Sequence, residues 1–311
     1  MHAVILERNK LVGRRVARML GATGATTQLI EDPAQLIASL AGADLVCADA
    51  FDGDLIAEQV RAHRGLRGVL WTAEPMRRAL RYLLETAGID HVLGRRDFET
   101  APRSWEILMI ARRLSTGAAP PSAAPPFAAY FDWGAALHEL EVRSTTDRDA
   151  AVGTIQELVG ALGVPRRVVE MVGELAHELL MNALYDAPID DHGRPKYASD
   201  RKSNITLDDH ERPTVVVGTD GTRFGVRVRD PFGRLERRHV VDGLARALAG
   251  GEQDRSHGGA GLGLMVAHTN SSALIFDVAR GRYTDVTALL ELDMNLRELR
   301  SQAKSLHFWS H

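Results

Sequence analysis

The chain has one cysteine, Cys47, among 311 residues. A disulfide within the chain is therefore excluded, and a cysteine zinc cluster is unsupported. Cys47 lies in the apolar run ADLVCAD, which predicts a buried, inert thiol. An excess of one charge sign is also missing. The formal net charge is −3, so no global field recommends nucleic acid or a lipid surface as partner. No apolar run nears the roughly 20 residues that span a bilayer. MHAVILERN has neither the basic start nor the cleavage site of a secretion signal. The expectation is a cytoplasmic protein without a membrane span or a nucleic-acid partner. No internal repeat is visible.

What is present reads as soluble and globular: 45% hydrophobic and 25% charged residues, with length enough for two domains. The boundary is STGAAPPSAAPPFAA. Its two Pro-Pro pairs remove backbone donors and favour a semi-rigid, extended linker. The expected division is a domain over 1–115, a linker over 116–132, a second domain over 133–296 and a tail over 297–311. Before the linker, HAVILE, TTQLIE, ADLVCAD, RGVLWTA and DHVLG read as strands alternating with helical stretches, which predicts a parallel α/β sheet in doubly wound, flavodoxin-like order. After it come the strand HELEVRST, the helices DRDAAVGTIQELVGALG and VPRRVVEMVGELAHELLMNALYD, and a hairpin about Asp220-Gly221. A helix and a final strand pair follow, which predicts an α+β two-layer sandwich.

Residues 1–115 resemble response-regulator receiver domains. ADLVCAD is similar to the receiver's third strand and puts the phosphate-accepting aspartate at Asp49. GVLWTAE is similar to the fourth strand, whose end carries a switch hydroxyl, here Thr72. AGIDHVLGRR is similar to the segment ending in a lysine and a cis-proline, positions held here by Arg95 and Arg96. The two acids that hold Mg²⁺ read Glu7 and Arg8, so a fixed positive charge stands where the cation would sit. The resemblance implies a pseudo-receiver used for docking or dimerisation. Two alternatives stay open: ordinary phosphorylation of Asp49, and an Asp49 that merely ends its strand and pairs with Arg8.

Three further stretches stand in order: HELLMNALYDA with Glu178 and Asn182 one turn apart, VRVRDPFG with Asp230 and Gly233, and SHGGAGLGLMVAHTN with Gly259, Gly261 and Gly263. Together they resemble the N box and two glycine boxes of the GHKL superfamily, the Bergerat ATPase fold, over roughly residues 135–293. The resemblance implies Mg²⁺ and ATP as cofactors. Asn182 would ligate Mg²⁺, Glu178 would act as general base, and Asp230 would accept from the adenine amine. Asp186, Gly233 and the three glycines would complete the nucleotide site, with the segment from Gly233 to Gly259 as a lid. The first glycine box departs from the D-x-G-x-G pattern, with its glycine one place late. The strand-helix-helix entry is similar to the serine kinases of the anti-sigma factor class.

The polar stretch from Asp186 to Pro213 reads as an inserted loop. Its pieces DDHG and DDHERP raise a metal reading, but their spacing favours an exposed charged loop. The expectation is a signal-transduction protein that binds Mg-ATP and acts on a protein partner, as a serine/threonine kinase or a slow ATPase. A non-catalytic scaffold or partner-switching protein that uses both folds to bind other proteins is the alternative, a histidine kinase served by helices in trans is a third reading, and a homodimer is open.

Overall fold

The computed structural model describes residues 1–115, 124–248 and 260–311. By its own contacts the chain forms two units: Met1–Ser122 with Gln302–His307, and Ala123–Ser301 with Phe308–His311. No described helix is long and apolar enough to cross a membrane.

The first unit opens with β1 (His2–Leu6), whose last four residues are buried. Asn9 then starts α1 (Lys10–Gly21). Its side-chain oxygen accepts the Leu11 and Val12 amides at 3.0 and 3.3 Å, satisfying donors that a helix start leaves open. β2 (Thr26–Ile30), α2 (Leu36–Ser39), β3 (Leu45–Asp49), α3 (Gly53–Ala62), β4 (Arg67–Thr72), α4 (Leu80–Glu85), β5 (Ile89–Gly94) and α5 (Ser104–Ser115) complete the alternation. These strands lie parallel in the order β2-β1-β3-β4-β5. That is the flavodoxin-like order, in which sites form at the carboxyl ends of the strands. All five residues of β3 are buried, as a sheet covered on both faces requires.

After a short 3-10 turn over Phe127–Tyr130, the second unit continues with β6 (Ala136–Glu141), α6 (Thr145–Gly160) and α7 (Arg166–Met181); a π-turn over Asn182–Asp186 extends α7. β7 (Thr214–Thr219) and β8 (Arg223–Asp230) form the hairpin read from Asp220-Gly221, with Gly221 at φ 85°. α8 (Arg237–Leu248), α9 (Ala260–Thr269), β9 (Ala273–Ala279) and β10 (Tyr283–Glu291) follow. The antiparallel order is β9-β10-β8-β7-β6. Along β8, Phe224, Val226, Val228 and Asp230 share one face, and Arg223, Gly225, Arg227 and Arg229 the other. α7 packs against α6, α9 and β8, burying Leu175, Leu179 and Leu180 among others.

The linker reading needs correction. Residues 116–123 lie outside the described chain, but from Ala124 the stretch is part of the second unit. Phe127, Tyr130 and Phe131 are buried. The rings of Phe127 and Phe131 meet edge-on, 5.0 Å between centroids, above the cross-strand glycines Gly218 and Gly225. A Cβ at Gly225 would stand 2.7 Å from the Phe131 ring. Arg227 Nη1 donates to the Pro125 carbonyl at 3.0 Å and Arg223 Nη1 to that of Tyr130 at 2.8 Å. Proline composition marked an extended path; the aromatic residues that follow decide where it lies.

The segment read as a tail forms α10 (Leu296–Ser301) and β11 (Ser305–Ser310). Leu306 and His307 pair antiparallel with Val92 and His91 of β5. Ser305 Oγ accepts the Gly94 amide at 2.8 Å, and a Cβ at Gly94 would overlap the Ala303 carbonyl. The fully buried His307 imidazole meets the Glu106 carboxylate at 3.3 Å. Lys304 is buried close by; burial first, then the charge of Arg103, pushes its ammonium down to about 8.

Two outcomes follow. Gly225→Val should lower stability by about 1–3 kcal/mol, the usual cost of overpacking, read as a lower urea midpoint. Between pH 8 and the ordinary lysine value of 10.5, Lys304 holds its proton only in the unfolded chain. Stability should therefore rise with pH across that window. Denaturant titrations should show the rise in the parent and its reduction in Lys304→Met.

Candidate functional site

Two sets of polar residues stand where the strands and helices of each unit bring chemistry together. In the first unit, Glu7, Asp49, Thr72 and Arg95 lie at the carboxyl ends of β1, β3, β4 and β5. Arg95 bridges two acids: Nη1 reaches Glu7 Oε2 at 3.2 Å and Nη2 reaches Asp49 Oδ2 at 2.5 Å. The Trp71 indole donates to the same Glu7 oxygen at 3.1 Å. Asp49 Oδ1 accepts the Phe51 amide at 2.8 Å. Burial, countered by that amide and by Arg95, holds the Asp49 carboxyl above its usual range. Thr72 Oγ1 accepts the Glu74 amide at 2.9 Å.

The pairing of Asp49 with Arg8 does not occur. Arg8 forks onto Asp52 and lies against the exposed Phe51 ring, 5.4 Å from its centroid. The partner of Asp49 is Arg95, whose side chain is 2% exposed. A guanidinium already sits between the two carboxylates that a cation would need, so this donor set does not fit Mg²⁺. Removing one member of a buried pair costs about 3–5 kcal/mol, which makes the arrangement a fixed one.

In the second unit the buried stripe of α7 turns Glu178, Asn182 and Asp186 to its half-buried flank, one turn apart each. No hydrogen bond or ion pair among the described residues engages the side chain of Glu178 or Asn182. The Glu178 carboxylate lies against Gly263, in the first turns of α9, where a Cβ would overlap it. Gly261 stands in the first turn of α9, while Gly259 lies outside the described residues.

Asp230 ends β8 on the face shared with Val226 and Val228, the face toward α7. It is buried, and burial raises its carboxyl above the usual range against the amides of Phe232 and Gly233 and the Thr284 hydroxyl. Gly233 has φ 62°, and a Cβ there would overlap the Ala279 carbonyl in the β9–β10 hairpin. The displaced glycine therefore has a packing reason of its own. The segment expected as a plain lid contains α8, with Val240, Val241 and Leu244 buried.

Asp186, expected at the nucleotide, has a partner within the chain: Arg201 forks onto it, with Nε at 3.2 Å from Oδ1 and Nη2 on Oδ2. Burial raises the Asp186 carboxyl, Arg201 opposes that, and the charge of Glu178 adds to it. Sequence reasoning missed Arg201, which lies 15 positions away in an irregular loop with no motif around it. The metal reading of DDHERP meets a similar answer. Asp208, His210 and Glu211 do gather, but Lys196 Nζ lies 2.9 Å from Glu211 and 3.6 Å from Asp208, supplying the positive charge there.

Acetyl phosphate with Mg²⁺ should leave Asp49 unmodified by intact-mass analysis. A phosphoryl adduct that disappears in Asp49→Ala would show that Arg95 yields the site.

No protein-family model matches the chain, and no curated protein matches it. Among solved structures it is similar to a response regulator receiver protein from Burkholderia phymatum, at 18% identity over 23% of this chain and 64% of that one, with a TM-score of 0.21. It is similar to a response regulator from Thermotoga maritima, at 13% identity over 37% of this chain and 97% of that one, TM-score 0.31. It is also similar to the SiaB-SiaC complex from Pseudomonas aeruginosa, at 16% identity over 50% of this chain and 88% of that one, TM-score 0.34. The flavodoxin-like order of the first unit rests on its own strand pairing.

Proposed function

We propose that the second unit binds Mg-ATP in the manner of the GHKL ATPases and that the chain is a signalling protein acting on a protein partner. The observation that carries this reading is the placement of Glu178. Its carboxylate and the Asn182 amide share one flank of α7 without a partner among the described residues, and Gly263 in α9 leaves the space that the acid occupies. An amide oxygen can ligate Mg²⁺ without adding charge, which suits an already anionic nucleotide. The early turns of α9 offer backbone amides to phosphate. Asp230, a buried acceptor on the α7 side of the sheet, suits the adenine amine. Bound Mg-ATP would supply a phosphoryl group for transfer or hydrolysis. Glu178 would then take the proton of the attacking hydroxyl or water. The first unit is a docking module in this reading, its acid pocket neutralised by Arg95.

One observation favours the scaffold alternative. Gly233 is demanded by its positive φ and by the Ala279 carbonyl, so the box it belongs to has a reason to exist without nucleotide.

Calorimetry separates the two. The parent should bind Mg-ATP, and Asp230→Ala should weaken binding by about tenfold or more, the worth of a hydrogen bond to a charged acceptor. Glu178→Ala should keep the affinity and lose turnover. No binding at millimolar ATP would leave the scaffold reading in front. Unchanged turnover in Glu178→Ala would remove that residue as the base.

A further inference from the structure

The inserted loop has no role in the site as described so far, yet it is not a loosely solvated excursion. Near its start, Ile189 and Pro195 bridge, and the Lys196 amide bonds to the Pro188 carbonyl at 2.9 Å. Near its end, the Ser203 carbonyl accepts from the Tyr185 hydroxyl at 2.7 Å, and the Ile205 amide donates to Thr145 Oγ1 at 3.0 Å. Leu207 donates its amide to the Arg143 carbonyl at 2.8 Å. Arg201 sits between these anchors, in a turn closed by Asp200. Its guanidinium is delivered to Asp186, one turn beyond Asn182 and two beyond Glu178 on the same flank.

We propose that Arg201 is a phosphate-binding residue, held on Asp186 until nucleotide arrives and then exchanged onto the polyphosphate. This rests on the reading that the second unit binds Mg-ATP. The chemistry is that of like for like. A guanidinium fork fits a carboxylate and a phosphoryl group with the same pair of parallel donors. An incoming polyphosphate would bring several negative charges to a flank that already carries Glu178 and Asp186, and Glu178 already opposes ionisation of Asp186. A cation pre-placed on that flank can absorb the negative charge that the Mg²⁺ of Mg-ATP leaves uncompensated. The pair is also placed to exchange: Arg201 is 20% exposed, in contrast to the enclosed Arg95. Asp186 thus acts as a competitor for the arginine rather than as a nucleotide contact.

The competition gives two variants opposite signs. Calorimetry would compare Mg-ATP and adenosine as ligands for the parent, Arg201→Met and Asp186→Asn. Arg201→Met should weaken Mg-ATP by about tenfold to a hundredfold and leave adenosine affinity unchanged, which also certifies the fold. Asp186→Asn should tighten Mg-ATP, because it frees the arginine and removes a negative charge. Equal weakening of Mg-ATP by both variants would make the pair a structural clasp and overturn the proposal. Parent binding of Mg-ATP that Arg201→Met leaves unchanged would overturn it alone, with the nucleotide site intact. A folded parent that binds no Mg-ATP would remove both this proposal and the reading beneath it.

Discussion

The apolar stripe of α7 is the constraint on which the second unit depends. Leu175, Leu179 and Leu180, with Val168, Val172 and Met171, bury one side of this helix. Each such side chain is worth about 1.5–3 kcal/mol when fully buried. A single surface ion pair is worth about 0–1 kcal/mol. The core therefore sets the helix's rotation, and the polar residues take the positions that remain. Glu178, Asn182 and Asp186 stand in a row on the boundary because they share a period with the core residues and are offset from them. The same burial fixes the approach of α9, whose Gly263 gives the Glu178 carboxylate its space.

A second regularity runs through both units: the chain answers clusters of carboxylates with its own cations. Arg95 bridges Glu7 and Asp49, Arg201 forks onto Asp186, and Lys196 sits on Glu211. The consequences differ with burial. Arg95 is enclosed, and breaking its pairs would strand charge in a medium that solvates it poorly. Arg201 keeps access to water, so the cost of changing partner is far smaller. One kind of contact thus serves as a permanent filling in the first unit and as an exchangeable contact in the second.

The outer face of the second sheet shows how composition misleads. The prolines before Phe127 favour an extended path, and such composition is read as a linker. The glycines Gly218 and Gly225, facing one another across β7 and β8, leave a trough that the rings of Phe127 and Phe131 fill. Neither half of that fit is informative alone. A glycine in a strand is a weak signal, and an aromatic after proline is another.

What the sequence determined by itself is whatever depends on a few adjacent residues. The strand-helix alternation of residues 1–115, the Asp220-Gly221 hairpin and the face shared by Glu178 and Asn182 are all written in local periodicity and turn chemistry. Tertiary structure alone decided the rest. The partner of Asp49 lies 46 positions away at Arg95, and not at Arg8, which one of the open alternatives had named. β11 lies more than 200 positions from the Glu106 and Gly94 that it meets. Arg201 reaches Asp186 from a loop that Tyr185 and Thr145 anchor. Ion pairs and edge pairings of this kind are chosen by where whole elements come to rest, and nothing in a short stretch of chain carries that information.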